Sequence, residues 1–452
     1  MGATAEVTFL PLVLLAGGTA AWFALNRALF DDILSPFSLL FVAWVGPLLL
    51  QATNLSSHET PWTLGPMLMV GWTTLALAGT CLLAAGVVRA GPPGAEARDH
   101  FRAMQELLRA PAFIAGFFAC FLVCFAAYVY AEFVTNPFGV PLLSILSGQV
   151  PRGGAFHRWG KDGPLTALTA LLFVLTPIAY LAFQANRGRP LRATLLVAAL
   201  AFPVGGVLKL SRSDVFIGMV ELLVVAVYWR RFAGERVPRR RQLLTLAGVV
   251  LAGLLVYYVM MAIRISSVPL EDIYARLIGF RLEGDSPWRG PLAAIYGYMA
   301  LPFENLHRFL AVHDGGSHVG ISVFRPILSL SGMGDLADRI DAGIHYPAPA
   351  TYAAGSATFL TSVYAELGIL GVAAVPIAYA ALVNALYVHM RARPTFLSVL
   401  LYANFVYPWL WLFFNNGFGV LSIYLNAAFI AAVALLMPEL RPRVARLAPA
   451  TR

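Results

Sequence analysis

The stretch PAFIAGFFACFLVCFAAYVYAEFV, residues 111–134, carries a single charged side chain, Glu132. A helix needs about 17 to 25 mostly apolar residues to cross a bilayer, and this stretch meets that length. Its cysteines, Cys120 and Cys124, share a helix face with no histidine or carboxylate beside them. With Cys81, also in an apolar run, they give neither a disulfide framework nor a zinc site and read as packing residues. Outward from this stretch, comparable runs recur near 7–29, 35–52, 64–88, 164–184, 191–209, 213–230, 242–262, 357–386, 396–414 and 418–437. Those at 35–52 and 191–209 are short or lightly broken. The first run lacks a basic n-region and is long for a signal peptide, so it reads as a retained span.

The expected fold is therefore all-α: a polytopic transmembrane helix bundle of about eleven spans with one large external loop containing short helices. Composition agrees, since 59% of the 452 residues are hydrophobic and 12% charged, and the mean hydropathy is +0.73. That is too apolar for ordinary soluble domains. Residues 1–263 hold spans one to eight, 264–355 form the loop, and 356–452 hold the last three spans and a basic tail. The net charge of +9 is mainly a topology signal, and no nucleic-acid partner is expected. Basic residues concentrate in alternate connections, at Arg27, Arg89–Arg109, Arg187–Arg192, Arg230–Arg241, Arg391–Arg393 and the tail. Positively charged short loops stay cytoplasmic, so 264–355 falls on the external face together with 135–163 and the turn at Leu210–Ser213. Within the loop, Pro291–Leu310 is moderately apolar; as a full span it would reverse every later connection, so a re-entrant or interfacial helix is expected.

Several charged positions then stand out at the outer face. Lys209 and Arg212 flank the turn before Asp214, where they either bind an anion or snorkel and pair with that acid. Arg264 follows the eighth span, and Arg325 stands in Phe324-Arg325-Pro326. Guanidinium forks suit phosphate oxygens, so such arginines hold a pyrophosphate without metal; singly, each is also explained as a loop charge, the better reading for Arg276 and Arg281. Glu304 and Arg308, one helical turn apart, form either a plain i,i+4 pair or a carboxylate base beside a cation. Glu366 lies about two turns into the ninth span, where a carboxylate is neutralised, partnered or functional. Tyr296, Tyr298, Trp288 and Tyr346 suit stacking on sugar faces or an interfacial aromatic belt. No GxGxxG, P-loop, HExxH, GxSxG or paired CxxC appears, and Asp162 stands alone in its loop, so nucleotide-driven transport, metalloprotease and serine-hydrolase readings lack support. No metal or cofactor is implied.

The order of features resembles the O-antigen polymerases, the oligosaccharide repeat-unit polymerases of the Wzy type. The resemblance rests on Leu-Ser-Arg-Ser at 210–213, Arg264, Tyr-Gly-Tyr through Pro-Phe-Glu-Asn-Leu at 296–306, Phe-Arg-Pro at 324–326, and Thr-Phe-Leu through Tyr-Ala-Glu-Leu-Gly-Ile-Leu-Gly at 358–371. It covers roughly the second half of the chain. It implies a bacterial inner-membrane glycosyltransferase of lipopolysaccharide or related polysaccharide biosynthesis, active at the periplasmic face. Such an enzyme moves a growing glycan from undecaprenyl pyrophosphate onto a new lipid-linked repeat unit, with neither nucleotide sugar nor metal. Its partners would be that lipid-linked oligosaccharide, the membrane lipids and a chain-length-regulating membrane protein. Lys209, Arg212, Arg264 and Arg325 would stabilise the leaving pyrophosphate, Glu304 and Glu366 compete as base beside Arg308, and Tyr296, Tyr298 and Tyr364 join the substrate-binding set. The family often has aspartate where this chain has Glu366. A ligase acting on a lipid-core acceptor and a non-enzymatic transporter or flippase of lipid-linked sugars are the alternatives.

Overall fold

The computed structural model describes residues 3–87, 95–131, 164–208, 212–235, 278–281, 289–313 and 358–436, with isolated positions at 248, 255, 315, 328, 331 and 333. Regular structure among them is helical, apart from one isolated antiparallel bridge between Ser56 and Phe280. In chain order the helices are α1 (Ala3–Leu29), α2 (Pro36–Gln51), α3 (Leu64–Ala85), α4 (Ala95–Arg109), α5 (Pro111–Val129), α6 (Pro164–Ala185) and α7 (Arg192–Leu208). They continue with α8 (Arg212–Phe232), α9 (Arg289–Met299), α10 (Leu301–Val312), α11 (Phe359–Ala392), α12 (Phe396–Leu410) and α13 (Leu421–Leu436). Apart from positions 248 and 255, the expected run at 242–262 lies outside the described residues, as does most of the 264–355 loop.

Each other apolar run coincides with a helix. Among the described residues, four helices are long and apolar enough to cross a membrane: α3, α5, most of α6, and α11. Apolar helices at 36–51, 192–207, 396–410 and 421–435 are shorter, so the bundle is helical and membrane-like without the count of eleven following from it. The outward faces agree with that character. On α3, Leu75 is 71% exposed and Leu83 79%, a surface that water disfavours and hydrocarbon does not.

The loop between the third and fourth runs contains a helix that the span reading did not include. In α4, Ala97, Phe101, Met104 and Leu108 are buried at helical spacing while Arg98, Asp99 and Arg102 face outward. That is an amphipathic helix laid against the bundle, with Phe101 edge-on to Trp229 of α8.

Two irregularities shape the bundle. Helix α2 widens to a π-turn at Phe41–Val45, where the Gly46 N–H reaches the Phe41 carbonyl. Pro47 follows, and its missing N–H removes the next regular helical bond. The π-turn sets Trp44, fully buried, edge-on between Phe303 of α10 and Phe359 of α11, with its Nε1 donating to Thr74 of α3 at 2.8 Å.

Helix α11 is broken at Gly368, whose φ of 58° and ψ of −146° belong to a region that essentially only glycine adopts. Two residues earlier Glu366 is 2% exposed. A broken span is tolerated where protein surrounds it. Gly368→Ala is expected to cost about 1–3 kcal/mol, read as a lower melting temperature of the detergent-solubilised protein. An unchanged melt would show that the break is not needed for stability.

The turn between α1 and α2 anchors the basic end. Asp32, with its side chain 1% exposed, receives Arg231 of α8 at 3.0 Å and Arg391 of α11 at 3.1 Å on Oδ2. The hydroxyls of Tyr228 and Tyr387 donate to the same oxygen at 3.0 and 2.9 Å, and the Leu34 N–H donates to Oδ1 at 3.0 Å. Ser35 caps α2 by accepting from the Ser38 N–H at 3.1 Å. Tyr402 and Trp409 of α12 donate to the carbonyls of Leu34 and Pro36. Four helices are thus tied to one turn.

Candidate functional site

The other end of α2 leads into a polar connection, Ala52–Thr63, that holds the second cluster of buried charge. This connection is clamped by residues 278–281. The Ser57 N–H donates to the Gly279 carbonyl and the Arg281 N–H to the Leu55 carbonyl, each at 2.8 Å, while the Ser56 hydroxyl donates to the Ile278 carbonyl. Gly279 has a φ of +56°, and a Cβ there would stand 1.9 Å from the Ser57 hydroxyl oxygen, so the clamp requires glycine.

Helices α9 and α10 supply the facing side chains. The sequence predicts one helix over 291–310; the structure has two, meeting at Ala300. Pro302 explains the interruption, because it lacks an N–H and disfavours a helical residue before it. On α9, Tyr296 is 1% exposed. Its hydroxyl donates to Glu59 Oε1 at 2.6 Å and accepts from the Leu55 N–H at 3.0 Å. Its ring packs beside Phe280. Tyr296 therefore has no ring face for the sugar stacking that the sequence suggested; it fixes a carboxylate instead.

On α10, Glu304 is fully buried. It accepts from the Thr60 hydroxyl at 2.8 Å and the Thr60 N–H at 3.3 Å, and pairs with Arg308 Nε at 3.0 Å. Arg308 also donates to the His58 carbonyl at 2.6 Å. The i,i+4 pair is thus real, and it also pins the connection to α10. His307 Nδ1 lies 3.2 Å from the Thr60 hydroxyl oxygen. That hydroxyl spends its hydrogen on Glu304, so Nδ1 carries the imidazole proton and Nε2 keeps its lone pair. Nε2 and the Nε1 of Trp62, whose ring stacks on His307 at 5.4 Å, are both buried without a partner among the described residues. Burial lowers the His307 pKa; Glu304 opposes that shift and Arg308 adds to it. The shift favours the neutral imidazole.

Glu59 differs from Glu304. It is half-buried, and beyond Tyr296 it accepts from the Ser56 N–H at 3.0 Å. Desolvation, aided by the negative charge of Glu304, pushes its pKa up to about 7 against the pull of Tyr296, the Ser56 N–H and Arg281. The sequence reading did not include Glu59. Its signal was the polar run Ser56-Ser57-His58-Glu59-Thr60 between two apolar runs, which looks like an ordinary solvated turn until α9 and α10 fold over it.

The other predicted residues fall elsewhere. Tyr298, half-buried, stacks on Phe414 at 4.4 Å, and Tyr364 lies against Gly315 beside Phe309 and Leu310. Glu366 is buried on α11, next to its break. Arg212 opens α8, but its side chain lies outside the described residues, as do Lys209, Arg264, Arg276, Arg325, Trp288 and Tyr346. No group of three or more histidine, cysteine, aspartate or glutamate side chains among the described residues could hold a metal ion.

No protein-family model, characterised protein or solved structure matches the chain. Fold and site define a class on their own terms: an all-helical protein with membrane-type apolar helices. It carries a buried acid–cation cluster at the end away from its basic loops.

Proposed function

We propose that this chain is a glycosyltransferase of about eleven spans in a bacterial inner membrane. It would polymerise undecaprenyl-pyrophosphate-linked oligosaccharide repeat units at the periplasmic face. The observation that carries the reading is the gathering of Glu59, Glu304, His307 and Arg308 at the end opposite the arginine-rich connections. Under the positive-inside rule that end is periplasmic. Departure of a pyrophosphate from an anomeric carbon needs cations, for which Lys209, Arg212, Arg264 and Arg325 are the candidates. The attacking hydroxyl needs a carboxylate base. The ordered motifs of the second half of the chain support the same reading. Glu366 beside the break in α11 favours a second one, a transporter of lipid-linked sugars, since discontinuous helices form the substrate and ion sites of secondary transporters and intramembrane acids mark substrate and ion pathways.

Purified protein, incubated with synthetic undecaprenyl-pyrophosphate oligosaccharides without nucleotide and with a chelator, is expected to produce a glycan ladder on gels. Arg212→Ala or Arg264→Ala is expected to lower ladder formation by about 10²-fold or more. Transfer seen only after a lipid-core acceptor is added would assign a ligase. Transbilayer movement of the same lipid in vesicles without any transfer would assign the transporter.

A further inference from the structure

Three carboxylates, Glu59, Glu304 and Glu366, compete as the base, and the geometry of the connection between α2 and α3 discriminates among them. Glu304 is fully buried and its oxygens are engaged by three protein donors, Thr60 N, Thr60 Oγ1 and Arg308 Nε. A substrate hydroxyl has no approach to it. Glu366 is enclosed in α11 at 2% exposure. Glu59 is half-buried on a connection whose neighbours Ser57 and Thr60 are exposed. Its two donors, Tyr296 OH and Ser56 N, occupy one position on each oxygen, and a carboxylate has about four such positions.

Resting on the polymerase reading, we propose that Glu59 takes the proton from the attacking sugar hydroxyl and that Tyr296 is its positioning residue. In the step, the acceptor O–H bond breaks and its proton passes to a free lone pair of Glu59. The acceptor oxygen bonds to the anomeric carbon. The bond from that carbon to the pyrophosphate oxygen breaks, and its electron pair leaves with undecaprenyl pyrophosphate. Glu59, left as the acid, returns its proton to solvent. The groups facing Glu59 set when it is ready. Tyr296 of α9 and the Ser56 N–H favour the carboxylate, Arg281 of the clamp favours it too, and Glu304 of α10 opposes it. Glu304 itself is tied to Arg308 and faces His307; His58 adjoins in the chain. Burial then holds the acid near neutrality, where a base is both deprotonated and basic enough to act. The role of Glu304 in this arrangement is to anchor Thr60 and to raise the proton affinity of Glu59.

The test uses full-length protein in lipid nanodiscs with a panel of undecaprenyl-pyrophosphate oligosaccharides. Glu59→Gln is expected to lower the turnover rate by about 10²–10⁴-fold while leaving affinity for a fluorescent undecaprenyl-pyrophosphate lipid unchanged. Glu59→Asp keeps the acid and should retain partial activity, which separates lost chemistry from lost folding. Tyr296→Phe removes a hydrogen bond that favours the carboxylate, so the acidic limb of its pH–rate profile should move to higher pH by about one unit. A wild-type ladder that survives Glu59→Gln, or a Tyr296→Phe limb that does not move, overturns the assignment of Glu59 and leaves the polymerase reading standing. A wild-type protein that makes no ladder with any substrate of the panel overturns the reading itself, and this role with it.

Discussion

Asp32→Ala is expected to destabilise the protein by about 3–5 kcal/mol, the usual cost of removing one partner from a buried ion pair. The structure argues for the upper part of that range. Arg391, whose side chain is 9% exposed, and Arg231, at 22%, both point at Asp32 Oδ2. The variant leaves two guanidinium groups facing each other among the hydroxyls of Tyr228 and Tyr387. It also frees the Leu34 N–H that orders the turn into α2. Asp32→Asn keeps the shape and loses the charge, so it should lose most of the same stability. Burial alone would raise the pKa of Asp32, but Arg231, Arg391, the Leu34 N–H and Tyr387 together carry it below the ordinary carboxylate value. The stability that it contributes is therefore present above that ordinary value and lost as pH falls through the lowered one. Thermal or denaturant unfolding of solubilised protein should show the gap between wild type and Asp32→Asn closing in acid. Equal stability of the two near pH 7 would mean that the arginines find other partners.

The opposite pH dependence is expected at Glu59. Its pKa rises from 4.5 to about 7 on folding, so the folded protein holds a proton that the unfolded chain has released. Stability is then lost as pH rises between those two values and levels off above the higher one. Glu59→Gln removes the penalty. The variant should gain about 1–3 kcal/mol relative to wild type between about pH 5 and about pH 8, a range discounted for partial solvent access. Melting temperatures of both proteins at the two pH values measure the gain without any substrate. A variant whose advantage does not grow with pH would show that Glu59 is ionised in the folded protein throughout. The same measurement bears on the proposed base, because the proton affinity that costs stability is what lets the carboxylate accept a proton during transfer.

Residue type and spacing alone determined the helical, membrane-like class of this chain, because long apolar runs such as 111–134 have few other ways to satisfy their backbone. They also determined that Glu304 and Arg308 share a helical face, since four residues make one turn; the break before Pro302, which splits the expected helix over 291–310, came only with the structure. The buried stripe of α4 is also legible in spacing, since Ala97, Phe101, Met104 and Leu108 recur every three to four residues.

Only the tertiary structure decided which partners those residues meet. Asp32 is one of two adjacent acids in a short turn until Arg231 and Arg391, some 200 and 360 residues further along, are brought to it by α8 and α11. Glu59 is one polar residue in a five-residue polar run until the clamp at 278–281 and the hydroxyl of Tyr296 enclose it. Tyr296, which the sequence offers to a sugar, is spent on that carboxylate. The physical reason is the same in each case. Helix formation depends on neighbours within a turn or two, whereas desolvation, charge pairing and proton affinity depend on which distant segments exclude water from a group, and that is a property of packing.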